Sequence, residues 1–591
     1  MKQPSRASNI IGIAAHFHDA SCCLMQDGHI LAAAQEERFS RIKHDPGVPK
    51  LSFRYCLGST GVAVSEIDCL AYYETPRKKV SRQVWTLMPK LSEMADVLLR
   101  LDPNRPEWEI REYLGYEGPI TFFEHHATHA ASSFYFSGFP EAAVLTVDGV
   151  GEWASGTYGY GNGRDLTLFE EVRFPHSLGL LYSTITDYLG FSVNDGEYKV
   201  MGLAPYGVPA YTKQIAALVE VGENGQYRLN LKYFDFQNVH RTYSALLPDL
   251  FGQPPRKEHS PITKFHKDIA RSLQYLLEEI LIEKANYIHR KTGSENLCMA
   301  GGVALNCVAN SRILKDGPFK RLFVQPAAND AGGALGAAAL AHYAMSDVSS
   351  IPPLKHDYLG PEYSCDEIQR VIEATGLPAS DYRGREEDLL GATAERIANG
   401  KVIGWFQGRM EFGPRALGAR SILADPRDNG MRDRINELVK KREAFRPFAP
   451  AILETRVQEH FDLGHPSPFM LETCQVRSPL DLPAITHVDG SARVQTVSES
   501  TNARFARLLA AFESRTGCPI LLNTSFNMRD EPMVCTASDA VVCFLRSEID
   551  SLVLGDFILD RPGPDSIFPW LFRTMREDQN SAISQHVYTM F

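Results

Sequence analysis

The first block of alternating apolar and polar residues, NIIGIAAHFHDASCCLMQDGHILAAAQEE, reads as an apolar strand, a polar turn, a short strand, an Asp27-Gly28 turn and a third strand. The same design returns in EAAVLTVDGVGEWASGTYGYGNGRDLTLFEEV, with an Asp148-Gly149 turn and a Gly-rich turn between its strands. Two such openings predict an internal duplication with a cleft between the halves; the competing reading is two unrelated hairpins. Apolar positions then take a helical period over residues 266–289, with Ile269, Leu273, Leu276, Leu277 and Ile280 on one side. Two strand–loop–helix units follow, at 296–314 and 321–343, each running from a short apolar strand into Gly or Asp at a helix start. Free N–H groups and the positive dipole end at such a start gather phosphates and acidic side chains.

Residues 346–386 are charged and open Pro-rich, with IPPLKHDYLGPEY, which predicts a connecting segment. From residue 387 strand and helix alternate again: KVIGWF, a helix over MRDRINELVKK, a helix over 503–515 and the strand PILLN. The expected division is a first domain at 1–345, a linker at 346–386, a second domain at 387–560 and a tail at 561–591 that packs over a domain surface. The expected fold class is α/β.

Composition narrows the function. With 44% hydrophobic and 23% charged residues, the 591-residue chain has the profile of a globular protein with a large core. Its formal net charge of −11 leaves no basic footprint, so nucleic acid is a poor partner, and an anionic substrate needs local Arg/Lys clusters. The eleven cysteines are scattered and include no C-x-x-C, which argues against a zinc ribbon and a disulfide framework and for a reducing cytoplasm. The short N-terminal apolar stretch is broken by His16, His18 and Asp19, and no later run is long enough to span a bilayer. A cytoplasmic protein without membrane partners is expected.

Three clusters carry chemistry. In FFEHHATHAASSFYFSGF, His125 and His129 are four apart and face the same way on a helix. Asp148, ending one strand, and Asp330, opening a helix, complete a mixed N/O set suited to a divalent first-row metal; surface or core histidines are the bland alternative. GWFQGRMEFGPRALGARSILADPR packs Gly408, Gly413 and Gly418 with Arg409, Arg415 and Arg420. Glycines admit a ligand to the backbone and guanidinium forks match phosphate oxygens, so with Lys440, Arg442, Arg446, Arg493 and the amides and hydroxyls of LNTSFN this segment points to a polyanion. The alternative is a solvated basic face. Finally, HFHDAS and EERFSRIKHD bring His18, Asp19, Lys43 and His44; a His beside a metal-bound electrophile can act as general base toward an alcohol, and an ordinary turn histidine is the competing reading.

The order HDAS, EERF-R-KH, HHxxHAAS, VDGxGE, MGLAPYG, AGGVALN, ND-GGALGAA, GRMEFGPRALGARSILADPR, FRPFAP and LNTSFN, from about residue 10 to 560, resembles the NodU/CmcH-type O-carbamoyltransferases. The resemblance implies an N-terminal, duplicated domain of the actin/sugar-kinase/heat-shock-ATPase type, like the metal-binding threonylcarbamoyl-transferase subunit, and a C-terminal YrdC-like domain that forms carbamoyl-adenylate. It implies His125, His129, Asp148 and Asp330 as metal ligands, with iron ahead of zinc or manganese. Arg415, Arg420, Lys440, Arg446, Arg493, Asn523 and Ser525 match positions holding ATP, with its Mg, and carbamoyl phosphate. Lys43 and Asn306 match positions lining the N-terminal site, and His18 matches the base. The expected partner is a small-molecule hydroxyl acceptor, with a homodimer as the assembly to test.

The stretch between Lys43 and His125 is unusually long for this family, so acceptor contacts there are not carried over. The rivals are a tRNA threonylcarbamoyl-type transferase, disfavoured by the absent basic surface, a hydrogenase-maturation enzyme, whose zinc-finger cysteines are missing, and a sugar-kinase-like ATP-binding protein, which needs no arginine-rich second unit.

Overall fold

The computed structural model describes residues 8–88, 101–238, 241–346 and 350–561. By their contacts these residues form two compact units. One runs to Ser40 and then over His44–Leu354; the other takes Arg41–Lys43 and the chain from Lys355.

The first unit holds two sheets of one design. Strands β1 (Asn9–Ala14), β2 (Ser21–Gln26), β3 (His29–Gln35), β4 (Cys69–Tyr72) and β5 (Ile120–Phe122) are ordered β3-β2-β1-β4-β5. Strands β6 (Glu141–Val147), β7 (Ala154–Asn162), β8 (Asp165–Arg173), β9 (Asn296–Ala300) and β10 (Arg321–Val324) repeat that order as β8-β7-β6-β9-β10. In each sheet the first three strands form an antiparallel meander and the last two join parallel to the first. The duplication is therefore one of topology, and the α/β class is the one expected. The long stretch before His125 supplies β4 and β5, so much of it is framework; its residues 89–100 lie outside the described ones.

Buried parallel strands need apolar residues on both faces, and every residue of β1 is buried. The helices that matter for the site are α1 (His125–Phe134), α2 (Lys264–Thr292), α3 (Cys307–Asp316) and α4 (Ala331–Met345). Helix α2 covers the predicted 266–289 and closes at Gly293, in the left-handed conformation. Helix α4, AGGALGAAALAHYAM, is apolar almost all round, as a helix packed on several sides must be. It lies on β1, β2 and α1.

The second unit is an eight-stranded mixed sheet in the order Ser380–Asp381, Phe557–Asp560, Ser551–Leu554, Ile403–Phe406, Arg420–Ala424, Ile520–Ser525, Ala449–Leu453, Gln495–Val497. Helices Glu386–Ala398 and Ala503–Thr516 pack together, and Trp405, Phe505, Phe512 and Leu552 lie in the core. The segment expected as a connector contains helix Cys365–Thr375, whose Ile368 and Ile372 are buried in that same core. The helix expected over MRDRINELVKK is cut short: one turn, Met431–Arg434, passes into a π-helical turn, Ile435–Val439, that delivers Lys440. The tail expected at 561–591 lies outside the described residues apart from Arg561. No helix among the described residues is long and apolar enough to cross a membrane.

Candidate functional site

Helix α1 begins where the backbone N–H of His125 donates to both carboxylate oxygens of buried Glu152, at 3.1 Å each. A carboxylate at this end suits the helix dipole and fixes the first turn. His125 and His129 then project from one face. Asp148 follows β6 directly, and Asp330 is the residue that opens α4. One ligand atom from each of the four lies within 4.8 Å of all the others. His125 Nε2 is 3.4 Å from Asp148 Oδ2 and 3.7 Å from Asp330 Oδ1, and His129 Nε2 is 3.6 Å from Asp330 Oδ1.

The helix carrying Asp330 reaches this position through close backbone approaches. A Cβ on Gly336 would stand 1.8 Å from the Thr128 carbonyl of α1, and one on Gly12 of β1 would stand 1.9 Å from the Ala334 carbonyl. Only glycine allows either contact.

The donor set fits a divalent cation. Both ring nitrogens of His125 and of His129, both oxygens of Asp330 and Oδ2 of Asp148 are buried without a hydrogen-bond partner. Leaving so many buried polar atoms unsatisfied costs about 1–3 kcal/mol apiece, which a metal would recover. His126, between the two, is the contrasting case: Nδ1 meets the Thr146 hydroxyl at 2.7 Å and Nε2 the Ala154 carbonyl at 2.9 Å. It is a satisfied core histidine. Without a cation, burial disfavours charge on His125, but Asp330 and Asp148 outweigh it and push its pKa up to about 9. Burial likewise opposes ionisation of Asp148, yet His125 and His129 hold it well below the usual carboxylate range.

His18 belongs to the same electrostatic neighbourhood. Burial works against its charge, and Asp330, Asp19 and Asp148 together reverse this and raise it to about 10. Its Nδ1 donates to Asp19 Oδ2 at 2.9 Å. The side-chain amide of Asn306 caps α3 through the Ala309 N–H (3.1 Å) and pairs reciprocally with Gln274 (2.9 and 3.0 Å). Lys43, expected to line the N-terminal site, belongs by its contacts to the second unit.

In the second unit the Gly–Arg segment is a loop folded around Glu411, whose Oε1 accepts from the N–H groups of Leu417, Ala419 and Arg420 at 2.7, 2.7 and 3.2 Å. Gly418 turns there at φ 105, and a Cβ on it would meet the Phe505 ring at 2.3 Å. Arg420, fully buried, stacks 3.6 Å over the Phe406 ring and spends its guanidinium on the carbonyls of Gln407, Gly408, Ala419 and Pro361. It braces the loop. Arg409 does the same toward Leu359 and Gly360. Arg415, between Gly413 and Gly418 in this loop, is half-buried.

Lys440 is 2% exposed, and all its acceptors are neutral: the Ser525 carbonyl and hydroxyl and the Asn527 carbonyl and amide oxygen. Burial, then Arg442, Arg446 and Lys43, depress its pKa well below that of an ordinary lysine. Asn523 is buried with its amide donating to Ala416 O and Gln495 Oε1, leaving Oδ1 without a partner. Ser525 donates to Asn527 Oδ1 at 2.8 Å. Arg493 lies close enough to His487 to add to the lowering of its pKa that burial dominates. Sequence reasoning missed Glu152 and Glu411 as organisers of these two places, although each lies inside a quoted motif, VDGxGE and GRMEFG.

A family profile described as Carbamoyltransferase N-terminus matches residues 9–339, and one described as Carbamoyltransferase C-terminus matches 394–561. Nodulation protein NolNO of Sinorhizobium fredii is 41% identical over 566 residues, covering 92% of this chain and 79% of that protein. The 3'-hydroxymethylcephem-O-carbamoyltransferase of Amycolatopsis lactamdurans is 38% identical over 499 residues, covering 80% and 90%. The crystal structure of HypF from T. kodakarensis aligns over 57% of this chain and 48% of that one, at 13% identity and TM-score 0.30, a likeness too low to carry an inference. The chain belongs to the carbamoyltransferase family and is an enzyme that transfers carbamoyl groups.

Proposed function

We propose that the protein is an ATP-dependent O-carbamoyltransferase that makes carbamoyl-AMP and passes its carbamoyl group to a hydroxyl of a small molecule. The observation that carries the first half is the Lys440 group: a buried ammonium with only neutral acceptors, under the influence of two arginines and a second lysine. Cations gathered around a buried lysine that has only neutral acceptors favour an anionic ligand, and a triphosphate or an acyl phosphate is one. Carbamoyl phosphate loses its phosphoryl group to water, leaving carbamate. The carbamate oxygen then attacks the α-phosphorus of ATP, and pyrophosphate leaves. Arg415, Lys440 and Arg446 would stabilise the charge that develops, with Mg on the nucleotide. Arg420 contributes by holding the loop in place.

Residues 1–345 would carry the second half. His125, His129, Asp148 and Asp330 would hold the metal, with iron ahead of zinc or manganese. A cation there would polarise the carbamoyl group and offset the charge of Asp330 and Asp148 on His18. As the acceptor oxygen bonds to the carbamoyl carbon and the bond from that carbon to the AMP oxygen breaks, His18 takes the hydroxyl proton. The nucleic-acid alternative has nothing in its favour at net charge −11. The name of the cephem relative concerns a hydroxymethyl group, which suits a small hydroxylated acceptor.

The test is acceptor-free incubation with ATP and carbamoyl phosphate. Pyrophosphate and carbamoyl-AMP are expected, and their absence from metal-replete protein would remove the adenylate route.

A further inference from the structure

One buried carboxylate collects three donors that the proposed reaction leaves unexplained. Asp19, 4% exposed, accepts from His18 Nδ1 at Oδ2 (2.9 Å), from His44 Nδ1 at Oδ1 (2.8 Å) and from Asn329 Nδ2 at Oδ2 (2.8 Å). The donors come from separate places: the turn after β1, the chain after β3, and the residue next to Asp330. Asp19 (φ 55) and His16 (φ 67) both lie in the left-handed region, and His44 (φ 54) does too. Such conformations in non-glycine residues cost on the order of 1 kcal/mol each and persist where their surroundings over-determine them. The other flank of the turn is pinned as well, since His16 bonds the Tyr72 hydroxyl through Nδ1 (2.6 Å) and Glu109 through Nε2 (2.8 Å).

An imidazole whose Nδ1–H is taken by a carboxylate has a defined tautomer, with the lone pair of the neutral ring on Nε2. We propose that Asp19 is a positioning residue for carbamoyl transfer: it holds His18 in the Nδ1–H tautomer, leaving Nε2 to receive the acceptor proton, and Asn329 and His44 hold Asp19 itself. This rests on the reading of His18 as the base. Asn329 joins the carboxylate to the loop bearing Asp330, so base and metal-ligand positions are set by one continuous piece of structure. When His18 gains the proton, Asp19 offsets the imidazolium. It stays ionised throughout, because His44 and His18 outweigh burial and hold it well below the usual carboxylate range.

The charged groups that face His18 are Asp330, Asp19 and Asp148. Asp19→Asn keeps the shape, removes one of these charges and can offer an amide donor that favours the opposite tautomer. Acceptor carbamoylation is expected to fall at least ~10²-fold, in kcat with acceptor KM unchanged. The acid limb of the rate profile should move to lower pH, Asp19→Glu should recover part of the rate, and bound metal and pyrophosphate release should stay at the wild-type level. Wild-type turnover in Asp19→Asn, or a loss with an unmoved acid limb, overturns the proposal. If Asp19→Asn does not fold, shown by lost metal and lost pyrophosphate release, His44→Gln reads the same junction. There a ~tenfold loss in kcat with acceptor KM and bound metal unchanged, and no shift of the acid limb to lower pH because Asp19 keeps its charge, supports the proposal, and wild-type behaviour overturns it. A wild-type enzyme that carbamoylates no hydroxyl acceptor is a separate result and bears on the function reading instead.

Discussion

Of three histidines in the first five residues of α1, only His126 has both ring nitrogens bonded, and that difference separates a core histidine from a candidate ligand. The buried carboxylate of Asp330 has no hydrogen-bond partner and lies 3.7 Å from the His125 ring and 3.6 Å from that of His129. Asp330→Asn should therefore abolish the stabilisation that added metal gives the wild type, and should destabilise the chelator-treated protein by about 3–5 kcal/mol, because His125 and His18 lose the carboxylate that most favours their charge. Calorimetry with and without chelator reads both. A second residue sets a pH dependence of stability. Lys284 of α2 is 2% exposed, donates to the Tyr158 hydroxyl at 2.7 Å and is depressed to about 7 by burial. Its folded value lies below its unfolded one, so the unfolded chain binds the extra proton between about pH 7 and 10.5, and stability rises with pH across that window. Lys284→Met should flatten this slope and stabilise the protein at neutral pH by several kcal/mol, on the order of 1.4 per unit of displacement. Denaturant titrations at pH 7 and 10 decide it. The sequence made the i, i+4 pair and both aspartates visible because spacing and helix starts are local signals. The Asp19 junction was not visible, because Asn329 is 310 residues away and only tertiary structure brings it there.

At the scale of elements, α4 matters most. Its small residues let it lie against β1, β2 and α1 at once, and this places Asp330 opposite His125 and His129. Gly336→Ala forces α4 away from the Thr128 carbonyl. It should cost about 1–3 kcal/mol or more and lower metal affinity, measured by denaturation and by metal titration; unchanged affinity would show that α4 does not set the ligand geometry. This helix was legible as a unit within 321–343, since an apolar Gly/Ala run after a strand has few other uses. The turn before Lys440 was not. MRDRINELVKK has the period of a regular helix, and the π-helical turn that delivers the lysine follows from packing around it, which a periodicity cannot show.

At the scale of the whole chain, the repeated strand order makes the first unit a duplicate of one motif, and the two hairpin openings were the part of that repeat the sequence could display. The parallel strands β4, β5, β9 and β10 lie far from those openings, and so the stretch before His125 reads as an insertion until the sheet is seen. The second unit was legible through its glycines and arginines, but not which arginines are spent inside it: Arg420 and Arg409 have carbonyl partners that no pattern announces. In the proposed reaction adenylation falls to the second unit and transfer to the first. Stripping the metal with a chelator, removing the chelator and restoring Mg alone should therefore stop acceptor carbamoylation and leave pyrophosphate release intact.

The most direct test of that division compares His129→Ala with Lys440→Met under acid quench, using labelled carbamoyl phosphate and ATP. The account predicts that His129→Ala forms labelled carbamoyl-AMP but no carbamoylated acceptor, while Lys440→Met forms neither and keeps its bound metal. Carbamoylated acceptor from Lys440→Met at the wild-type rate, or no carbamoyl-AMP from folded His129→Ala, would contradict it.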